Sequence, residues 1–296
     1  MYEERGVKNR LKIFLSFGFL PLTTFILVVM VPFLFGIFVI FTNWNGIRNT
    51  IEFVGLQNCI QAFTDPQFWT SIGITFKYTV WVLILTNLIA LGMALLVTSG
   101  VKGQNSFRAA FFTPNLIGGV ILGFIWLFIF SRAFVYMGRT LNIHLFTESW
   151  IGDSQKALWA LIIVAVWQMS GYMMLVYIAG LISIPQSITE AAFIDGAVGW
   201  QILLKIKIPM MVPSFTISLF LTLQKAFMTF DTNLSLTHGG PYNSTQLAAM
   251  HIYDEAFKRH NYGPGQAKAI LFFIIVAGLA LLQVVLLKKH EVEALS

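Results

Sequence analysis

The sequence predicts an all-α integral membrane protein with six spanning helices, and three observations carry that reading. Of 296 residues, 57% are apolar and only 11% charged, and the mean hydropathy is +0.75. A soluble domain carries about 25% charged residues, so this composition is made for lipid. Apolar runs close to the roughly 20 residues that cross a hydrocarbon core of about 30 Å recur along the chain, separated by short polar segments. The pI of about 9.4 does not indicate nucleic-acid binding, because the basic residues stand singly at the ends of apolar runs, where they orient a chain in a bilayer. The single cysteine, Cys59, excludes an intramolecular disulfide.

Taken in order, residues 1–12 are basic and precede an apolar run from Ile13 to Phe41. That run exceeds the roughly 7 to 15 residues of a signal-peptide core and ends in no small-residue cleavage site, so it reads as a retained span. The span is expected at about 20–42, with residues 11–19 at the interface and a bend near Pro32. Residues 43–70 carry turn chemistry in Asn43, Asn45, Gly46, Asp65 and Pro66. Further spans are expected at about 71–98, 107–131, 157–183, 212–230 and 267–287, so the whole of 1–296 reads as one transmembrane domain. An even number of spans puts both termini on one side. Of the 19 Lys and Arg residues, Lys77 and Lys225 fall inside spans, ten lie in the segments that share a side with the termini, and seven lie opposite. The shorter, more basic set is cytoplasmic, and it includes residues 186–212.

Residues 186–212 form a polar island that reads as two short helices. Ser187 and Glu190 have capping-box spacing, with Ser187 as N-cap, and Gly196 suits the left-handed end of the first helix. The second, Trp200 to Ile208, carries Lys205 and Lys207 and is stopped by Pro209 and Pro213. Helices this short are marginal alone, since roughly 12 to 15 residues are needed in water, so they are expected to dock on a partner. Locally, Glu190 as a cap, Gly196 as a stop and Asp195 as a solvated acid explain the same residues.

The chain has no Gly-Lys dipeptide and hence no phosphate-cradling loop. His144, His238, His251, His260 and His290 show no metal-ligand spacing, and no serine sits in a nucleophile elbow. No catalytic residue, metal or cofactor is therefore expected in this chain. The remaining chemistry lies in polar residues inside spans, which are costly unless they face protein or a wet cavity. These are Asn87 with Thr86, Gln168 with Ser170 and Tyr172, and Thr222, Gln224, Lys225 and Thr229. Thr222, Lys225 and Thr229 recur at helical intervals on one face, which either lines a path or bonds to neighbouring helices. Gly92, Gly118, Gly119 and Gly123 are expected to let helices pack closely. The segment 246–258, with Leu247, Met250, Asp254 and Phe257 at helical intervals, reads as an interfacial helix that lies on the membrane or touches a binding protein.

The order Glu190-Ala191-Ala192, Asp195-Gly196-Ala197, Ile206-Lys207-Ile208-Pro209 resembles the EAA loop of ABC importer permeases, with Ile208 where the pattern usually has Leu. Leu236 to Pro241 and the stretch Phe53-Val54-Gly55-Leu56-Gln57-Asn58 are similar to the maltose-type first permease subunit and its glycerol-3-phosphate relatives. The resemblance implies a type I importer permease fold in a bacterial-type cell membrane. It further implies a second homologous permease, two ATPase subunits that hold ATP and Mg, an extracytoplasmic solute-binding protein and a saccharide substrate. Glu190, Ala191, Ala192, Asp195 and Gly196 would then couple to an ATPase. By position, Tyr172, Thr222, Lys225, Ala226 and Thr229 would line the sugar path, with Gln168 added as a mid-span polar neighbour. Lys225 departs from the maltose pattern, so glycerol-3-phosphate or an acidic saccharide is the alternative substrate. A secondary transporter, the rival class, would show acidic residues in its span interiors, where this chain has none.

Overall fold

The computed structural model describes residues 12–46 and 50–295. The basic residues Arg5, Lys8 and Arg10, and Arg48, counted above for sidedness, lie outside the described residues. The fold is all-helical: among the described residues the one extended pairing is an isolated bridge between Thr42 and Phe53. The helices are α1 (Phe14–Ile40), α2 (Gln57–Thr64), α3 (Pro66–Thr98), α4 (Gln104–Phe112), α5 (Gly119–Thr140), α6 (Ser154–Ile182), α7 (Gln186–Ile194), α8 (Gly199–Met210), α9 (Val212–Phe227), α10 (Asp231–Leu236), α11 (Ala248–Tyr253, continued by Asp254–Lys258) and α12 (Tyr262–Leu295). Five are long and apolar enough to cross a membrane: α1, α3, α5, α6 and α12 up to Leu287. The pair α8 and α9, bent by 68° at Met211, supplies a sixth if it counts as one span.

Prolines explain several local irregularities. Wide π turns occupy Phe14–Gly18, Ile26–Met30 and Leu203–Lys207, ahead of Pro21, Pro32 and Pro209. A proline ring collides with the carbonyl four residues earlier, and a wider turn relieves the collision.

The chain divides into two compact units. The first comprises residues 1–65 and 252–271. Within it Asn58 Nδ2 donates to the carbonyls of Ile40 and Thr42 at 2.7 and 2.8 Å, satisfying backbone groups at the end of α1. Lys268 is fully buried, its Nζ 2.6 Å from Asp65 and 3.0 Å from Glu255. Glu255 also accepts from Arg259 at 2.9 Å and Asn261 at 2.8 Å. Burial pushes the Glu255 carboxyl up, but the hydrogen bonds from Asn261 and Lys268 and the nearby positive charges outweigh it and leave it below its ordinary value. Lys268, counted above among the outer charges, sits in the second turn of α12 rather than in a loop.

The second unit comprises residues 66–251 and 272–296. Its core is the packing of α3, α6 and α9, where Ala90 and Ala94 of α3 and Val164, Met173 and Tyr177 of α6 are buried. Small side chains let backbones approach where lipid provides no hydrophobic drive between helices. Asn87 ties the three helices together. Its Oδ1 accepts from Tyr177 at 2.7 Å and Ser218 at 2.6 Å, and its Nδ2 donates to Leu83 O at 2.7 Å and to Thr222 Oγ1 at 3.4 Å. Asn87→Leu would orphan two hydroxyls in an apolar interior and is expected to cost about 2 kcal/mol. Thermal unfolding of the purified chain in detergent checks this; an unchanged midpoint would contradict it. Asp153 caps α6, accepting from the backbone N–H groups of Gln155 and Lys156 at 2.8 and 2.9 Å, and these bonds lower its carboxyl pKa.

Two expected spans are interrupted. The run 107–131 is not one helix: α4 ends, a tight turn covers Thr113–Leu116, and α5 starts after Gly118 in extended conformation. Pro114 cannot donate to a helical ladder, which is the physical reason. The run 212–230 breaks after Phe227, and α10 resumes at Asp231. Gly119 and Gly123 of α5 lie against Asp231, Thr232 and Ser235 of α10, too close for a side chain on either glycine. Among the described residues nothing lies within 4 Å of where a side chain on Gly92 or Gly118 would stand, so these two glycines are not required for packing within the chain. Leu247 and Met250 are buried within the chain, which removes the reading of their segment as a helix lying on the membrane through that face.

Candidate functional site

The two interruptions meet at a cavity of about 370 Å³ within the second unit. One wall comes from the break between α4 and α5, through Asn115 and Gly119. The facing wall comes from the break between α9 and α10, through Met228, Thr229, Phe230 and Asp231. Irregular backbone at membrane depth is tolerable only where protein or water satisfies it. Here Gln168 Nε2 of α6 donates to the freed carbonyl of Ile117 at 2.9 Å.

Lys225 and Gln168 both line this cavity. Lys225 Nζ lies 3.1 Å from Asn115 Oδ1 and 5.0 Å from the centre of the Tyr172 ring, a cation–π distance. Tyr172 does not itself line the cavity; it is packed beside Phe112 and steers the lysine head. Thr229 does line it and shares a hydrogen bond with Tyr78 at 3.3 Å. Thr222 does not. It is fully buried, donates to Ser218 O at 2.7 Å and receives Asn87, so its face belongs to the helix packing. The expected common face of Thr222, Lys225 and Thr229 is thus divided by depth: one turn bonds neighbours and the next opens to the cavity.

Sequence reading missed Tyr78, Asn115, Met169 and Asp231 as cavity residues. Asn115 had a signal, because Thr113-Pro114-Asn115 and Gly118-Gly119 interrupt an apolar run with residues that break helices. The cavity carries one positive and one negative side chain, Lys225 and Asp231, among hydroxyls and amides. It is suited to a polar molecule bound by hydrogen bonds rather than to one of high charge.

The 186–212 loop presents a different surface. The helix α7 buries none of its residues. Ser187 is not its N-cap: the helix starts at Gln186 after Pro185, and Glu190 accepts from Gln186 Nε2 at 2.8 Å rather than from backbone. The two-residue shift leaves the capping-box pattern unused. Gly196 has φ +82°, its N–H reaches Phe193 O at 3.1 Å, and the N–H of Ala197 reaches Ala192 O at 2.9 Å, closing the helix end. Ala192 is half-buried, while Glu190, Ala191, Asp195 and Gly196 are exposed. Phe193 is 66% exposed and Ile194 87% exposed, so the tip between the two short helices holds large apolar side chains out of the fold. Glu190, Ala191, Ala192, Asp195 and Gly196 therefore surround an apolar knob, Phe193 and Ile194, at a left-handed turn.

A family model described as "Binding-protein-dependent transport system inner membrane component" matches residues 87–291. The probable starch degradation products transport system permease protein AmyD of Thermoanaerobacterium thermosulfurigenes is 44% identical over 272 residues, 92% of each chain. The multiple sugar-binding transport system permease protein MsmF of Streptococcus mutans is 33% identical over 277 residues, 94% of this chain and 96% of the relative. Among solved structures, a bacterial ABC transporter involved in the import of the acidic polysaccharide alginate superposes with a TM-score of 0.80 at 18% identity, covering 95% of this chain and 98% of that one.

Proposed function

We propose a sugar-import function on the premise that this chain belongs to the family of binding-protein-dependent transport system inner membrane components. It is the permease subunit of an ABC importer for a saccharide, and its substrate is a neutral oligosaccharide of the kind that starch degradation yields. The observation that carries the substrate reading is the cavity between the two broken helices, where Lys225 and Asp231 balance in charge among hydroxyl and amide groups. Discontinuous helices at membrane depth free backbone groups and leave room for a polar solute. The 44% identity with AmyD over 92% of both chains supports the sugar class.

In this reading a second permease completes the path, an extracytoplasmic binding protein delivers the sugar, and two ATPase subunits seize the exposed tip at Phe193 and Ile194. Both termini and the 186–212 loop face the cytoplasm, and ATP with Mg stays on the partner. Closing of the ATPase pair moves α7 and α8, and the 68° bend at Met211 passes that movement to α9, which carries Lys225. Access to the cavity then alternates between the two sides.

An anionic substrate, glycerol-3-phosphate or an acidic saccharide, is the second reading, favoured by the neutral partners of Lys225, which are an amide oxygen and a ring. Uptake of labelled malto-oligosaccharides and of acidic saccharides by a deletion strain carrying wild-type or Lys225→Met protein separates the two. For a neutral sugar, Lys225→Met removes one charged hydrogen-bond donor and raises the half-saturation concentration roughly tenfold. Loss confined to acidic substrates would replace the neutral reading by the anionic one, and wild-type uptake of neither class would remove the sugar function.

A further inference from the structure

A second pocket, of about 690 Å³, lies at the end of α5 that leads into the connection to α6, so it is at the membrane surface opposite the 186–212 loop. Its polar lining is Ser131, Arg132, Tyr136, Arg139, Thr140 and Ser149, with no acidic residue among them. Arg132 and Arg139 are exposed, and among the described residues neither has an ion-pair partner. Two guanidinium groups two helical turns apart thus stand beyond ion-pair distance of the described carboxylates, including the exposed Glu148 beside Ser149.

The face of α5 that carries them says what they meet. Ile121, Ile125 and Phe128 are 63%, 45% and 64% exposed and follow each other at three- and four-residue intervals. Arg132, Tyr136 and Arg139 continue that series. An exposed apolar face that turns aromatic and cationic at its end is a lipid-facing face reaching headgroup depth. Behind it aromatic rings pack on one another. Phe130 packs on Phe134 and Trp150 at 5.3 and 5.5 Å between ring centres, and Phe146 on Phe134 at 4.7 Å. Gly138 lets the backbone of Phe146 lie where a Cβ would stand, which brings the 144–152 turns, and Ser149 with them, against the helix.

We propose that this pocket binds the phosphate of an anionic phospholipid headgroup. Arginine forks grip phosphate oxygens in pairs, and the hydroxyls of Thr140 and Ser149 add donors that a fully solvated surface would not hold in place. The acyl chains would run along Ile121, Ile125 and Phe128. The site is separate from the sugar cavity and its assignment does not depend on the transported substrate.

The full-length chain, purified and given equal amounts of phosphatidylglycerol and phosphatidylcholine, is followed by native mass spectrometry during delipidation. The wild type is expected to keep one more phosphatidylglycerol than the Arg132→Gln/Arg139→Gln variant, whose affinity falls on the order of 30-fold. The Arg132→Lys/Arg139→Lys pair keeps the charge without the forks and should fall between, which reads the site even if the Gln pair is poorly behaved. Equal retention by wild type and the Lys and Gln pairs, or equal retention of phosphatidylcholine, would overturn the proposal. So would displacement of the lipid by an equimolar amount of inorganic phosphate, which would make this a free-anion site.

Discussion

Gly196→Pro is expected to leave the chain inserted in the membrane and to reduce transport-coupled ATP hydrolysis by on the order of tenfold or more, the size of a strong coupling between sites. Proline fixes φ near −65° and has no N–H. Gly196 has φ +82° and its N–H closes the end of α7 on Phe193. The turn that holds Phe193 and Ile194 outward would have to be rebuilt, while α6 and α9 on either side keep their own packing. Gly196→Ala provides the graded case, since a left-handed alanine costs about 1 to 2 kcal/mol. Membrane fractionation and substrate-stimulated ATPase activity of the assembled transporter measure the two halves of the expectation. Full stimulation in the proline variant would remove the coupling role of the loop.

The second large effect concerns stability. Lys268→Met is expected to cost about 3 kcal/mol, because it removes the fully buried cation between Asp65 and Glu255 and leaves the half-exposed Arg259 as the ion-pair partner of the buried Glu255. Glu255 has a side chain only 4% exposed and Asp65 one 19% exposed. The net worth of the intact cluster is smaller than this, since burying the charges was itself costly, and a Lys268→Met/Glu255→Gln double variant should recover part of the loss. The pH dependence has a definite sign. The folded-state pKa of Glu255 is depressed, so its contribution is complete above its ordinary value of 4.5 and is lost as pH falls below that, through the folded value. Thermal midpoints in detergent between neutral pH and about pH 4 follow both effects. A midpoint of Lys268→Met equal to that of wild type would refute the clamp.

Legibility differed between the two functional regions for a physical reason. The 186–212 loop is local: its helix end, its positive-φ glycine and its exposed tip depend on neighbours within about one helical turn, so spacing alone finds them. Even there a two-residue shift of the helix start undid the capping expected of Ser187. The cavity is not local. Asn115 and Lys225 meet across 110 residues, and Asp65 and Lys268 across 203, and no periodicity within a helix encodes either meeting. Thr222 and Lys225 stand three residues apart, yet one is sealed against Asn87 and the other reaches the cavity, because two different neighbours cover them.

By itself the sequence determined that this is a helical membrane protein, through runs of apolar residues that only a bilayer can hide, and it located the polar loop whose first short helix, α7, buries none of its residues within the chain. Which polar side chains bond helices together and which stay open to a solute was decided only by the tertiary structure. A hydrogen-bonding group in an apolar medium takes whichever partner the packing brings within reach, and that partner is set by how α3, α6 and α9 meet and by where α4 and α9 break.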